Sequence, residues 1–344
     1  MKTRCSILTV GVLAALVLVR CGGRSGTDIQ TSGSSTAQPH ARPQHSVQIT
    51  LDGFPSAANV GILMASRRGY FEDVGLSVAT FTPIAPVRPI TYVVDKTVDL
   101  SISHLPQVVL AKAKQAPIVA VGSLAPQPTS AMIWLKKSVI DGVAGLKGKT
   151  IAIPGLPFQK VLLASQLAQG GLTLADVNLR TAEYRLVPAL INGRADAIFG
   201  GSWNLEGAEL KARGFRPVIV PVQRAGVPRY DELVLVARRD WVRKNSATLR
   251  RLLAAVNRGV AAAIEDPRAA ADAILEVDGK QSGRHSTEVE LKATLPLLSR
   301  TGWIDPVGAR HLVAWMHQEK IVRRELPASM MFTNRYLATE HWPR

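Results

Sequence analysis

The sequence predicts an α/β protein of two lobes, built on short strands separated by helices. Three observations predict it. An alternating strand, an apolar helix and a second strand follow one another between Val47 and Phe81, which is a βαβ opening. Short apolar runs recur around Leu100, Val121, Ile151, Ile198 and Leu235, with helical patterns between several of them. About 300 residues follow the N-terminal segment, enough for two lobes with their own cores.

Residues 1–21 read as an export signal. Lys2 and Arg4 precede an apolar run from Ile7 to Val19, too short to span a membrane comfortably, and Cys21-Gly22-Gly23 follows. Leu18-Val19-Arg20-Cys21 resembles a bacterial lipobox, which implies lipidation of Cys21 and attachment to a membrane. Arg20 departs from that pattern, which has a small residue before the cysteine, so plain secretion and a retained N-terminal helix stay open as alternatives. Residues 22–46 are rich in Ser, Gly, Thr, Gln and Pro and read as a solvated tether. Cys5 and Cys21 are the only cysteines. The body therefore offers no disulfide, thiolate metal site or cysteine nucleophile. The net charge of +16 raises the question of nucleic acid. Its basic residues are scattered, as in Arg238-Arg239, Arg250-Arg251 and Arg323-Arg324, with little aromatic interleaving. No nucleic-acid partner is expected, and the charge reads as a solvated face that anionic head groups would attract.

The body follows in order. Val47–Leu51 alternates as a strand, Asp52–Ser56 is the loop at its C-terminal end, and Ala57–Arg68 is an apolar helix closed by Gly69. Tyr70–Leu76 turns the chain into a strand at Ser77–Phe81. Val98–Ser103 is another strand, with His104 and Pro106 at its tip, followed by a helix at Val108–Gln115 and a strand at Ile118–Leu124. Ala131–Leu135 opens a new segment. A turn at Gly145–Gly148 leads into a strand ending at Ile153, and Gly155-Leu156-Pro157 caps a helix at Phe158–Gln169. Leu186–Asn192 is a short helix, Ala197–Phe199 a buried strand, and Leu233–Ala237 a strand that carries the chain back toward the first lobe. From Ala247 the pattern is mostly helical, punctuated by Pro267, Pro296 and Pro306.

The stretch with the most chemistry runs from Ala197 to Glu206. In open α/β sheets, ligands bind outside the carboxyl ends of strands, and Trp203, Asn204 and Glu206 follow one such end after Gly200-Gly201. A flat face, an amide and an anionic acceptor suit a planar, nitrogen-rich small molecule. The alternative is a strand-to-helix turn with Trp203 in the core, Asn204 holding the local backbone and Glu206 as a first-turn charge. Ser103 and His104 sit at another strand tip, as binding groups or as structure. Backbone amides near Gly155 suit a polar ligand edge, or are satisfied locally. Tyr230 follows Pro228 on a rigid loop, as a cleft wall or a hinge packer. No H-E-x-x-H, G-x-S-x-G or Walker loop is present, so no catalytic residue, metal or cofactor is expected.

Longer stretches carry a family resemblance. They are Gly69-Tyr70-Phe71 with Gly75-Leu76, Val187–Ala197, Gly200–Glu206, Gly226–Val234, Thr294-Leu295-Pro296 and Phe332–Leu337. In these the chain resembles the substrate-binding proteins of bacterial ABC importers in the ThiY-like branch. That branch binds pyrimidine precursors of thiamine, within a wider family that binds alkanesulfonates, taurine and nitrate. The resemblance implies a type II periplasmic-binding-protein fold: lobe I over 47–128, lobe II over 129–236, then lobe I again with C-terminal helices over 237–344. Two crossovers join the lobes, and a small-molecule ligand is held in the cleft between them. It also implies a monomer that is not an enzyme and that works with an ABC permease and its ATPase.

One loop departs from the pyrimidine-binding branch. Gly53, Ser56 and Asn59 stand where that branch has a tryptophan, an asparagine and a histidine, whereas Asp52, Pro55 and Gly61 fit. Phe54 is the candidate replacement for the aromatic face, with Ser56 and Asn59 as its polar neighbours. An alkanesulfonate, taurine or nitrate is the alternative ligand, though a cleft-facing Glu206 opposes an anion; loss of ligand binding is a further alternative. A fungal relative makes the thiamine pyrimidine from histidine and pyridoxal phosphate and is marked by a cysteine-rich iron motif. This body has no cysteine with which to match it.

Overall fold

The computed structural model describes residues 45–85, 88–279 and 283–338; the export signal, Cys21 and the tether up to residue 44 lie outside them. Among the described residues, ten strands form two five-stranded sheets. In chain order the strands are β1 (His45–Thr50), β2 (Leu76–Phe81), β3 (Leu100–His104), β4 (Ile118–Ala125), β5 (Ser130–Leu135), β6 (Thr150–Ile153), β7 (Asn178–Thr181), β8 (Ala197–Ser202), β9 (Pro217–Pro221) and β10 (Leu233–Arg238). The α-helices are α1 (Val60–Arg67), α2 (Arg88–Val94), α3 (Leu105–Ala113), α4 (Gln159–Ala168), α5 (Leu186–Ile191), α6 (Glu206–Ala212), α7 (Arg239–Lys244), α8 (Ser246–Glu265), α9 (Pro267–Val277), α10 (Arg284–Thr294) and α11 (Pro306–Gln318).

The first sheet has the order β2-β1-β3-β10-β4 and the second β7-β6-β8-β5-β9. Each holds three parallel strands, then a strand antiparallel to its neighbours. That antiparallel strand is the one that arrives from the other lobe. β5 follows β4 directly after residues 126–129, and β10 returns from β9 through residues 222–232. These two segments are the crossovers. β3, β4, β5 and β10 are buried along almost their whole length, as their unbroken apolar runs require of strands covered on both faces. One continuous apolar cluster includes Leu105, Val108 and Val234 of the first lobe, Met132, Trp134 and Phe199 of the second, and Phe158 and Tyr230.

Several elements differ from the sequence reading. β1 takes in His45 and Ser46, which the composition assigned to the tether. The helix expected over Ala57–Arg68 is divided, because Ser56 and Asn59 form a reciprocal cap around a 3₁₀ turn at Ala57–Asn59 before α1 begins. Neither β7 nor α2 was legible. β7 is four exposed residues held only by register with β6, from Thr150 opposite Asn178 to Ile153 opposite Thr181. α2 reads Arg-Pro-Ile-Thr-Tyr-Val-Val, a β-branched run that gives no helical signal.

α1 and α8 pack closely against each other. α8 buries Leu249, Leu252, Val256, Gly259, Val260 and Ala263 along one face. A Cβ on Gly259 would lie 2.0 Å from the carbonyl oxygen of Gly61 in α1, and one on Gly61 would lie 2.4 Å from Val260. Both positions need glycine for approach. Gly259→Ala is therefore expected to destabilise the protein by about 1–3 kcal/mol through overpacking. Chemical denaturation measures it, and an unchanged midpoint would contradict the close contact.

Candidate functional site

A cavity of about 230 Å³ lies between the lobes, at the carboxyl ends of β1, β3, β6, β7 and β8. This is where parallel strands present loops and helix starts to a ligand. From the first lobe come the loop 52–56, His104 at the end of β3, and Glu290 of α10. From the second come Pro154, Leu156 and Gln159 after β6, Glu183 and Tyr184 after β7, Gly200 and Ser202 of β8, and Glu206 and Glu209 of α6.

Asn59 builds the first wall from behind. Its side-chain amide reaches Asp52 Oδ1 and the Phe54 carbonyl at 3.3 Å, and its Oδ1 accepts from the Ser56 amide at 3.0 Å. The loop is thereby fixed with Phe54 outward, 53 % exposed. Phe54 meets Tyr184 across the cleft with ring centroids 5.2 Å apart and planes at 59°. The Tyr184 hydroxyl donates to the Asp52 carbonyl at 3.4 Å. Gly53 is tight here, since a Cβ on it would come within 3.1 Å of the Tyr184 ring. One aromatic side chain from each lobe thus meets at the cleft.

The floor is made of hydrogen-bond acceptors. Glu206 Oε2 accepts from the Ser202 amide at 2.6 Å, across Gly201. Gly200 has φ +82°, and its carbonyl accepts from Gln159 Nε2 at 3.3 Å. Gln159 Oε1 is buried and has no partner among the described residues. Burial pushes the Glu206 carboxyl up to about 7; the Ser202 amide opposes this, and Glu209 and Asp52 add to it. Burial also pushes Glu290 up to about 8, reinforced by the charges of Glu209, Glu206 and Asp278. Asp52 is raised by burial against the opposing pull of His104 and Asn59. For His104 burial acts downward, but the hydrogen bond and charge of Glu232, with Asp52, carry it above its usual value. Asp52, Glu183, Glu206, Glu209 and Glu290 line the cavity, and no Lys or Arg does so among the described residues.

The sequence-predicted residues divide. Phe54, Ser56, His104 and Glu206 line the cavity. Asn204 lines a void of about 30 Å³ beside it, where its Nδ2 donates to Thr294 Oγ1 at 2.9 Å. The others stand behind the wall, which corrects the expectation that they face the ligand. Trp203 turns away after β8 and packs on the second-lobe cluster that includes Ile133, Leu186 and Ile198. Ser103 donates to Gln107 at 2.6 Å. Gly155 holds φ +93°, while its neighbours Pro154 and Leu156 reach the cavity. Tyr230 is buried and donates to Glu232 at 3.4 Å, and Asn59 is spent on its own loop. Gln159, Tyr184, Glu209 and Glu290 were missed. Tyr184 follows the unpredicted β7, and Glu290 joins the site only through tertiary packing; Gln159 was within reach, just beyond the Gly155 turn.

Two α/β lobes that exchange a strand, with a cavity at the strand ends between them, define a two-lobed protein of the periplasmic-binding-protein fold. The chain belongs to the family described as NMT1/THI5 like, which it matches over residues 57–270. It is similar to a formylaminopyrimidine-binding protein of Halalkalibacterium halodurans, 27% identical over 335 residues, which cover 94% of this chain and 96% of that one. It is also similar to a 4-amino-5-hydroxymethyl-2-methylpyrimidine phosphate synthase of Schizosaccharomyces pombe, 31% identical over 139 residues, 40% of each chain. In fold it matches the periplasmic aliphatic sulphonate binding protein SsuA of Escherichia coli, with a TM-score of 0.66 and 18% identity, over 85% of this chain and 99% of that one.

The raised carboxyls set a pH dependence. A group whose pKa rises on folding binds its proton more tightly in the native state, so its contribution is full below the unfolded value and is lost as pH rises through the folded one. For Glu290, with an ordinary value of 4.5 and a folded value of about 8, the loss falls in that window. Melting curves are expected to show Glu290→Gln gaining on the wild type from pH 5 to pH 8. A constant difference across that range would contradict the placement of Glu290.

Proposed function

We propose that this chain is the extracytoplasmic solute-binding component of an ABC importer, which captures an aminopyrimidine-like heterocycle between its lobes and delivers it to the permease. The carrying observation is the cavity itself. Its rim has an aromatic ring from each lobe and its floor has Glu206 and Gln159, with His104 but no Lys or Arg among the described lining residues. A planar ring with exocyclic amine donors fits those groups, and the formylaminopyrimidine-binding relative supports the choice. An alkanesulfonate, taurine or nitrate would need cationic or amide donors where this wall presents carboxylates. The role is binding and not catalysis, in keeping with the lack of any cysteine beyond Cys21. The N-terminal signal supports export, with Cys21 as the lipid anchor that keeps a monomer near its permease and ATPase.

Ligand at 100 times its dissociation constant should stabilise the protein by about 2.7 kcal/mol, a shift that thermal melting detects. Glu206→Ala is expected to weaken an aminopyrimidine about ten- to hundredfold by calorimetry, the worth of one hydrogen bond to a charged group. Tight binding of taurine or nitrate that survives Glu206→Ala would overturn the reading.

A further inference from the structure

A second cavity, of about 440 Å³, lies on the second lobe between the end of β7 and α5, and Arg180, Arg185 and Arg194 line it. Local backbone geometry gathers them. Glu183 holds φ +49°, a left-handed conformation that glutamate seldom adopts, and the Arg185 amide donates to the Ala182 carbonyl at 2.8 Å. This tight turn gives Tyr184 to the interlobe cavity and leaves Arg180 and Arg185 on the second one. After α5, Gly193 takes φ +68° and the Arg194 amide returns to the Ala189 carbonyl at 2.9 Å, which brings in the third guanidinium.

None of the three is in an ion pair among the described residues. Arg67, Arg68, Arg258 and Arg284, also at the surface, each hold a carboxylate. Glu183 is the one carboxylate of this lining, and it pairs with none of the arginines. Three guanidiniums against one carboxylate leave a formal charge of +2 on the lining, and the Thr181 hydroxyl adds a donor.

We propose that this cavity is a binding site for a phosphate dianion, carried by a small phosphorylated solute or by the headgroup of an anionic lipid. Guanidinium forks match phosphate oxygens in pairs, and a concave, one-signed lining concentrates the opposite ion. A dianion balances the +2, which a monoanion such as nitrate does not. The site is separate from the interlobe cavity and does not depend on the ligand held there. That cavity, lined by five carboxylates and no Lys or Arg among the described residues, does not compete for such an anion.

Calorimetry of the full chain with sodium phosphate, and co-sedimentation with phosphatidylcholine vesicles with and without phosphatidic acid, test this at one ionic strength held with sodium chloride. Free phosphate is expected to bind with a dissociation constant of about 1 mM or tighter, the worth of two charge-assisted hydrogen bonds. Binding to phosphatidic acid vesicles without binding of free phosphate assigns the site to a lipid headgroup instead. The double variant Arg180→Gln, Arg194→Gln changes two exposed side chains and should melt as the wild type does in phosphate-free buffer. It is expected to lose at least about tenfold in either affinity. Absence of binding to both probes, or binding that the folded double variant retains in full, would overturn the site.

Discussion

One buried carboxylate holds the two lobes in register. Glu232 lies at the end of the second crossover and is 1% exposed. Its Oε2 accepts from the Thr129 amide of the first crossover at 3.0 Å and from the Tyr230 hydroxyl at 3.4 Å, while Oε1 meets His104 Nδ1 at 2.8 Å. A buried charge is tolerated only where its lone pairs are answered, and removing a partner leaves a penalty of several kcal/mol. Both crossovers are thus tied to the tip of β3 through one side chain. Gln223 adds a second strut, donating to the Pro128 carbonyl at 2.9 Å. Asp231 adds a third, accepting from Ser123 of β4 at 2.5 Å and from the Asp305 amide at 3.1 Å. Hinges of this kind absorb closure in a few residues while the lobes stay rigid. His104 contacts the crossover carboxylate Glu232 and lines the cavity as well, so one side chain joins the crossovers to the cavity wall.

The second constraint is electrostatic. A chain of net charge +16 places a cluster of carboxylates where its lobes meet, with His104 but no Lys or Arg among the described lining residues. Burial raises Glu206, Glu290 and Asp52, and neighbouring carboxylates add to it in each case. In an enclosed site such groups interact more strongly than at the surface, so the charge of a ligand matters as much as its shape. The aromatic pair of Phe54 and Tyr184 then supplies the flat surfaces, one from each lobe.

Much of the frame was legible because it rests on apolar runs. β3, β4, β5 and β10 are buried on both faces and could be read without knowing their neighbours. Phe54, His104 and Glu206 were within reach for a related reason: each follows a readable strand end. The rest depended on information that no local window holds. β7 exists by register with β6, and Tyr184 comes with it. Glu290 meets Glu206 and Glu209 only because α10 packs on α6. Trp203 misled because a tryptophan after two glycines suits a wall and a core equally, and here the second-lobe cluster offered it more apolar contact. Asn59 misled in another way, since its amide had closer partners in Asp52 and Ser56 than any ligand.

A crystal structure of the protein grown with an aminopyrimidine tests the central claim most directly. The account predicts one molecule between the lobes, its ring beside Phe54 and Tyr184 and an amine donating to Glu206. Ligand density outside this cavity, or an anion seated against these carboxylates, would contradict it.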